Sequence, residues 1–345
     1  MYLPAAALVA AAAVLAANAP STAATSGTAA TTGTATTTAQ ALVFAPNPVQ
    51  QLGDHTLADN RDADYPALAP AYTRVTLTDL DGSGTLTGTY ARVKSNTGKA
   101  AVTVNGNFPA WHRDADQFEQ VMGYFWVTTG QYYLQHLGFG STLRPVNQRQ
   151  IQLRIDQYGV DNPFFTDKKV GITLGKGGVD DAEDGELIMH EYGHSVLDSQ
   201  VPGIDSPEGA AIHEAFGDYF AVTSTSWRFG PGKTDEPCIA DWDSMPYIDT
   251  WGPCLRRLDG TKHYPEDIVG EPHRDGEIWS SALYAIRGAL GDTLAGQIII
   301  DAQFDYTKDV TFHNAAEQTV SSARRHGGDA AAATVRSAFT ARGLL

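Results

Sequence analysis

Apolar residues along this chain repeat first at every second position and later at every third or fourth. In the stretch from about Ala41 to Asn107, the run YTRVTLTDLDGSGTLTGTYARVKSN alternates apolar and polar residues around Asp81-Gly82-Ser83-Gly84. A period of two about a Gly-rich centre predicts strands joined by a hairpin turn. The Asp79/Asp81 pair also suits calcium, but the twelve-residue loop ending in Glu is absent, so a turn is the better reading. QIQLRIDQYG and KKVGITLGKG read as strands flanking the loop Asp161-Asn162-Pro163-Phe164-Phe165. One helix interrupts this half. From Asp114, Phe118, Met122, Phe125 and Tyr132 or Tyr133 fall near helical spacing until Gly138 stops them. That aromatic stripe reads as core rather than as a binding surface.

After Asp180 the period changes to that of helices. DGELIMHEYGHSVLDSQ is one, and SPEGAAIHEAFGDYFAVTS is the next, with Ser206 as N-cap and Pro207 at the first helical position. An irregular stretch over roughly 226 to 272 precedes DGEIWSSALYAIRGALG, closed by Gly291, and two or three more helices follow. The pattern predicts an α+β protein without internal repeats. A β-rich N-terminal lobe with one long helix spans 41–184, and a helical lobe spans 185–345.

The termini and composition narrow the setting. MYLPAAALVAAAAVLAANA ends in the small-x-small sequence Ala17-Asn18-Ala19 and reads as a secretory signal over 1–19, although no Lys or Arg precedes its apolar run. The Ala/Thr/Ser/Gly tract over 20–40 cannot bury a core and reads as a linker. No later segment approaches 18 uninterrupted apolar residues, so no membrane anchor is expected. With 40 acids against 24 basic residues the net charge is −16, which argues against nucleic acid or an anionic membrane as partner. Cys238 and Cys254 are 16 positions apart. In an oxidising compartment one loop-closing disulfide is expected over two free thiols.

The candidate chemistry lies in HEYGH. Residues i and i+4 of a helix share a face, about 6 Å apart along the axis. His190 and His194 can therefore aim at one ion, with Glu191 beside them as a base for metal-held water. Gly193 weakens that helix by about 0.5–1 kcal/mol relative to Ala, which implies a close approach by a ligand or a neighbouring strand. Glu214 lies 20 positions after His194 and Asp218 four beyond it, on one face of the next helix. Glu214 completes a His₂Glu set that leaves a fourth position for water. Asp218 can accept the outer N–H of a bound histidine and fix its tautomer.

HEYGH followed by IHEAFGD resembles the gluzincin metallopeptidases, the thermolysin-like and fungalysin-like families. The resemblance covers roughly residues 110 to 345 and is strongest over 185–220. It implies a two-lobed zincin with one catalytic Zn2+ at a cleft between the lobes. DNPFF at 161–165 is similar to the strand-edge segment that holds the substrate backbone, which implies roles for Asn162 and the main chain near Phe164. EPHRDGEIWSSAL is similar to the segment whose histidine steadies the tetrahedral intermediate, which implies His273. The sequence departs from the thermolysin pattern in four places. Asp205 stands where that family carries a second oxyanion tyrosine, and Tyr247 is one possible replacement. Asp267 and Glu271 are both near enough in sequence to orient His273. Acids for a double calcium site are missing after Asp218, although Glu186 precedes the zinc helix suitably, so Ca2+ is possible but unsupported. A long inhibitory pro-region is not recognisable between signal and first strand.

The expectation is a secreted, monomeric zinc endopeptidase acting on polypeptides, with Glu191 as base and His273 at the oxyanion. Two alternatives share the zinc residues. An aminopeptidase-type exopeptidase needs carboxylates for the substrate's free amine, and no Gly-x-Met-Glu-Asn element is present. A catalytically impaired zinc module would have no need of Glu191.

Overall fold

The computed structural model describes residues 37–345, apart from 95–96, 160–161 and 168–169. The signal expected over 1–19, most of the linker and Asp161 lie outside the described residues. The first strand, β1 (Thr37–Val43), begins inside the tract read as linker. Its alternate residues Ala39, Ala41 and Val43 are buried, as period two requires. After a short helix α1 (Pro48–Leu52), β2 (Thr73–Leu80) pairs antiparallel with β1, placing Ala41 opposite Val75.

The expected hairpin is only partly formed. β2 ends at Leu80, and only isolated bridges such as Leu80 to Gly88 cross the turn. Asp79 sits at a φ of 57°, which turns the strand before the Gly-rich centre is reached. The next strand, β3 (Ala91–Val93), instead runs parallel to β4 (Ile151–Arg154). With β5 (Phe164–Thr166) and β6 (Gly171–Thr173) they form a sheet in the order β3-β4-β6-β5. β5 is antiparallel to β6 and stands at the sheet edge.

Helix α2 (Asp116–His136) ends just before Gly138, whose φ is 100°. Phe118, Met122, Phe125 and Tyr133 are buried, but so are Trp126, Val127 and Leu134 on the other faces. The stripe read from spacing is one side of a helix enclosed by β1, β3 and β4 and by the zinc-motif helices. Full burial of such a side chain contributes about 1.5–3 kcal/mol.

The helical half follows the expected order. α3 (Gly185–Gln200) is capped by Asp184, which accepts from the Glu186 N–H. α4 (Pro207–Phe229) is capped by Ser206, which accepts from the Gly209 N–H. In the irregular stretch, β7 (Cys238–Ile239), a short helix α5 (Ile248–Trp251) and β8 (Arg256–Arg257) form a small ribbon. Three helices follow: α6 (Pro272–Leu290), α7 (Asp292–Ala302) and α8 (Phe312–Thr340), the last kinked at Gly328. Among the described residues, no helix is long and apolar enough to cross a membrane.

Cys238 and Cys254 form the disulfide, with Cα atoms 5.3 Å apart. It closes the loop that carries Tyr247 and ends two residues before Arg256. Removing the cross-link from a loop of this size costs about 3 kcal/mol. Cys238→Ser/Cys254→Ser is therefore expected to unfold at lower denaturant with the loop freed. Equal midpoints for variant and wild type in guanidinium would count against this.

Candidate metal centre and cleft

The site is assembled where α3 crosses α4. A Cβ on Gly193 would lie 2.9 Å from the Gly217 Cα, and one on Gly217 would lie 2.7 Å from His190 Nδ1. The close approach at Gly193 is therefore made by a helix, rather than by a ligand or a strand. A second approach follows on the other side of α4. There a Cβ on Gly276 would lie 2.9 Å from the Ala211 carbonyl oxygen and 3.4 Å from the Glu214 Cβ. This lets the start of α6 carry His273 up to Glu214.

Alanine at Gly217 is expected to weaken both fold and site. Helix propensity would favour the change by about 0.5–1 kcal/mol, but overpacking costs about 1–3 kcal/mol. Since the first atom struck is on His190, the net loss should appear in metal affinity as well as in stability. Competition with a chelator measures this, and undiminished zinc affinity in Gly217→Ala would refute it.

One ligand atom from each of His190, His194 and Glu214 lies within 4.8 Å of the others. Glu214 Oε2 is 3.3 Å from His190 Nε2, and Glu214 Oε1 is 3.6 Å from His194 Nε2. A tetrahedral zinc with bonds of about 2.0–2.1 Å sets its ligands about 3.4 Å apart. The donor types and these spacings fit that ion. Buried Glu214 Oε2 also has no hydrogen-bond partner.

Each histidine is held from behind. His190 Nδ1 is 2.8 Å from Asp218 Oδ1. His194 Nδ1 is 3.2 Å from Nδ1 of His213, a residue the sequence reading passed over. For His194 to offer Nε2, its Nδ1–H must donate to an unprotonated His213. Burial pushes His213 down to about 4 and so keeps it neutral. Burial alone would depress His190 too, but Asp218 and Glu214 outweigh it and push it up to about 10.

Asp218 is itself locked by Arg256. Nε and Nη2 of Arg256 donate to its two carboxylate oxygens, both at 2.7 Å. Burial would raise the Asp218 carboxyl, but the Arg256 charge holds it at about 2. Arg256 had no sequence signal, because a lone arginine in an irregular stretch belongs to no periodic pattern.

Glu191 faces a cleft of about 680 Å³, whose walls include His190, Asn162, Tyr247, Arg256 and His273. It is 3 % exposed, and its Oε2 has no hydrogen-bond partner. Burial pushes its carboxyl up to about 7, partly offset by His190 and by the Phe165 N–H that donates to it from β5. His273 stands at the rim, half exposed, with Nε2 3.2 Å from Glu214 Oε2. Its Nδ1 is 2.6 Å from Glu271 Oε1, and Glu271 also caps α6. Asp267 instead accepts from the His263 N–H. Glu271, and not Asp267, is therefore the acid that meets His273.

The other expected residues fall as follows. Asn162 lines the cleft, and its carbonyl accepts from the Tyr158 hydroxyl. Phe164 is exposed and stacks on Tyr158 outside the lining of the cleft. Asp205 is exposed on the loop before α4, where its N–H bonds the Lys308 carbonyl, whereas Tyr247 lines the cleft. Glu186 is buried and accepts from the Ala240 N–H. It belongs to neither of the two groups of three ligand atoms that, among the described residues, come close enough to share an ion.

No family model and no curated protein sequence matches this chain. Among solved structures, the chain is similar to the precursor of protealysin, a metalloproteinase from Serratia proteamaculans. The TM-score is 0.54 at 16% identity, over 77% of this chain and 92% of that one. At that identity the likeness speaks for the fold. The chain has the mixed α+β fold of a thermolysin-like metallopeptidase.

Proposed function

We propose that this chain is a secreted zinc endopeptidase of the gluzincin type, acting as a monomer on polypeptides. The observation that carries the reading is the meeting of His190, His194 and Glu214 beside a buried, unpartnered Glu191 carboxylate oxygen on the cleft wall. His190, His194 and Glu214 would hold the zinc, which when bound activates water and polarises a carbonyl.

This chain's own groups do the rest. Glu191 takes a proton as water attacks and returns it to the leaving amine. Its carboxyl, raised to about 7, suits a group that must both accept and release a proton near neutrality. His273, oriented by Glu271, donates toward the developing oxyanion from the cleft rim, and Tyr247 lines the same wall. The edge strand β5 offers main-chain groups for an extended peptide, with Asn162 at its approach. Secretion is supported by the apolar N-terminal segment and its small-x-small end.

Digestion of a mixed peptide library, half of it with blocked amino termini, tests the reading. Internal cuts in both halves, abolished by a zinc chelator and restored by zinc, are expected. Cleavage confined to free amino termini would point to an exopeptidase. A zinc-loaded chain that cuts nothing would overturn the enzyme reading.

A further inference from the structure

A second cluster of acids lies at the start of α2. One oxygen from each of Asp116, Glu119 and Asp156 falls within 4.8 Å of the others. Glu119 and Asp156 are 1% and 3% exposed. Asp180 comes in from the loop before α3, is 0% exposed, and turns its carboxyl toward Glu119 and Asp156. Glu119 Oε2, both oxygens of Asp156 and both oxygens of Asp180 are buried and, among the described residues, meet no N–H or hydroxyl donor, and the Glu119 carboxyl comes within hydrogen-bond reach only of the other two acids.

The cation that reaches this cluster is too little for it. Lys176 Nζ is 3.3 Å from Asp116, 3.6 Å from Asp180 and 3.8 Å from Asp156. Its side chain is 37% exposed, so it covers the cluster from outside. Four carboxylates thus face one ammonium. A buried carboxylate that lacks compensation carries a heavy desolvation penalty.

The donor chemistry selects what would compensate it. A set made only of carboxylate oxygens suits hard cations and not zinc. Calcium, with bonds of about 2.3–2.6 Å, can hold ligands up to about 5.2 Å apart, whereas magnesium reaches only about 4.2 Å. Atoms within 4.8 Å of one another fit inside the first limit, and magnesium usually keeps several waters rather than entering an all-protein cage.

We propose that Asp116, Glu119 and Asp156 form a calcium site, with the buried Asp180 carboxyl beside it adding negative charge, separate from the cleft and from Glu186. It ties the first turn of α2 to the end of β4. Lys176 guards its outer mouth and swings into solvent when the ion enters. The proposal does not depend on the zinc reading.

Calcium titration of the full, zinc-loaded chain by calorimetry, paired with thermal melts, tests it. Wild type is expected to take up one calcium that Glu119→Gln/Asp156→Asn does not, and to melt several degrees higher with it. Glu186→Gln should keep that calcium, and the zinc content of the double variant should be unchanged. If the double variant does not fold, Asp180→Asn gives the same reading by weakened uptake. Lys176→Met should bind calcium at least about tenfold more tightly, because a positive charge about 4 Å away is gone. Equal calcium uptake by wild type and double variant, uptake by neither, or weaker binding in Lys176→Met would overturn the proposal.

Discussion

Replacing Glu191 by glutamine is expected to lower kcat/KM for a peptide substrate by about one hundred- to ten-thousand-fold, with zinc content and fold unchanged. Glutamine keeps the shape of the side chain and an oxygen that accepts the Phe165 N–H. It loses the ability to take a proton. The effect should be large because the carboxyl is prepared for that task. Burial is the main cause of its rise to about 7, with Glu214 adding to it, while His190 and the Phe165 N–H hold it back. A carboxylate at the ordinary value would release its proton to solvent too readily at neutral pH. The measurement is kcat/KM on an internally cleaved peptide beside zinc stoichiometry. Full zinc with wild-type turnover would remove Glu191 from the chemistry.

Asp218→Ala should give the largest loss of stability. Asp218 is 1% exposed and holds both the Arg256 guanidinium and the outer nitrogen of His190. Truncation leaves Arg256 as a buried charge without its counter-ion, a loss of about 3–5 kcal/mol. It also frees the His190 ring, which typically costs about 10–100-fold in metal affinity. The pH dependence follows from the same pair. Arg256 holds the carboxyl at about 2, below its ordinary 3.8. A group depressed in the folded state contributes its stability above the unfolded value, and loses it as pH falls toward the folded one. Wild type should therefore lose stability between about pH 4 and pH 2, and the variant should lack that part of the acid limb. Identical acid limbs, measured by urea unfolding across this range, would contradict the assignment.

Much of this protein follows from spacing along the chain. HEYGH puts two imidazoles on one helix face, and Glu214 with Asp218 puts two carboxylates on one face of the next. The caps at Ser206, the stop at Gly138 and the close pair of cysteines are equally local. Each depends on a repeat of two or 3.6 residues, or on one residue's backbone preference, and these operate over a few neighbours.

Other features depend on contacts between residues far apart in sequence. The Gly-rich turn at 81–84 looked like a hairpin, but β2 found its partner in β1, where Ala41 and Val75 share the core. Arg256 meets Asp218 across 38 positions, and no periodicity relates them. His213 reads as one more helix residue until α3 lies against α4 and His194 turns its outer nitrogen toward it. The choice of Glu271 over Asp267 was settled by the turn that starts α6.

The sequence by itself therefore determined the candidate metal-ligating residues, the helices that carry them and the order of the main helices. The tertiary structure decided how closely those helices approach, which is set at Gly193, Gly217 and Gly276, where no side chain intervenes. It also decided which group stands behind each candidate ligand. Periodicity specifies which way a side chain faces, but only packing specifies what it meets.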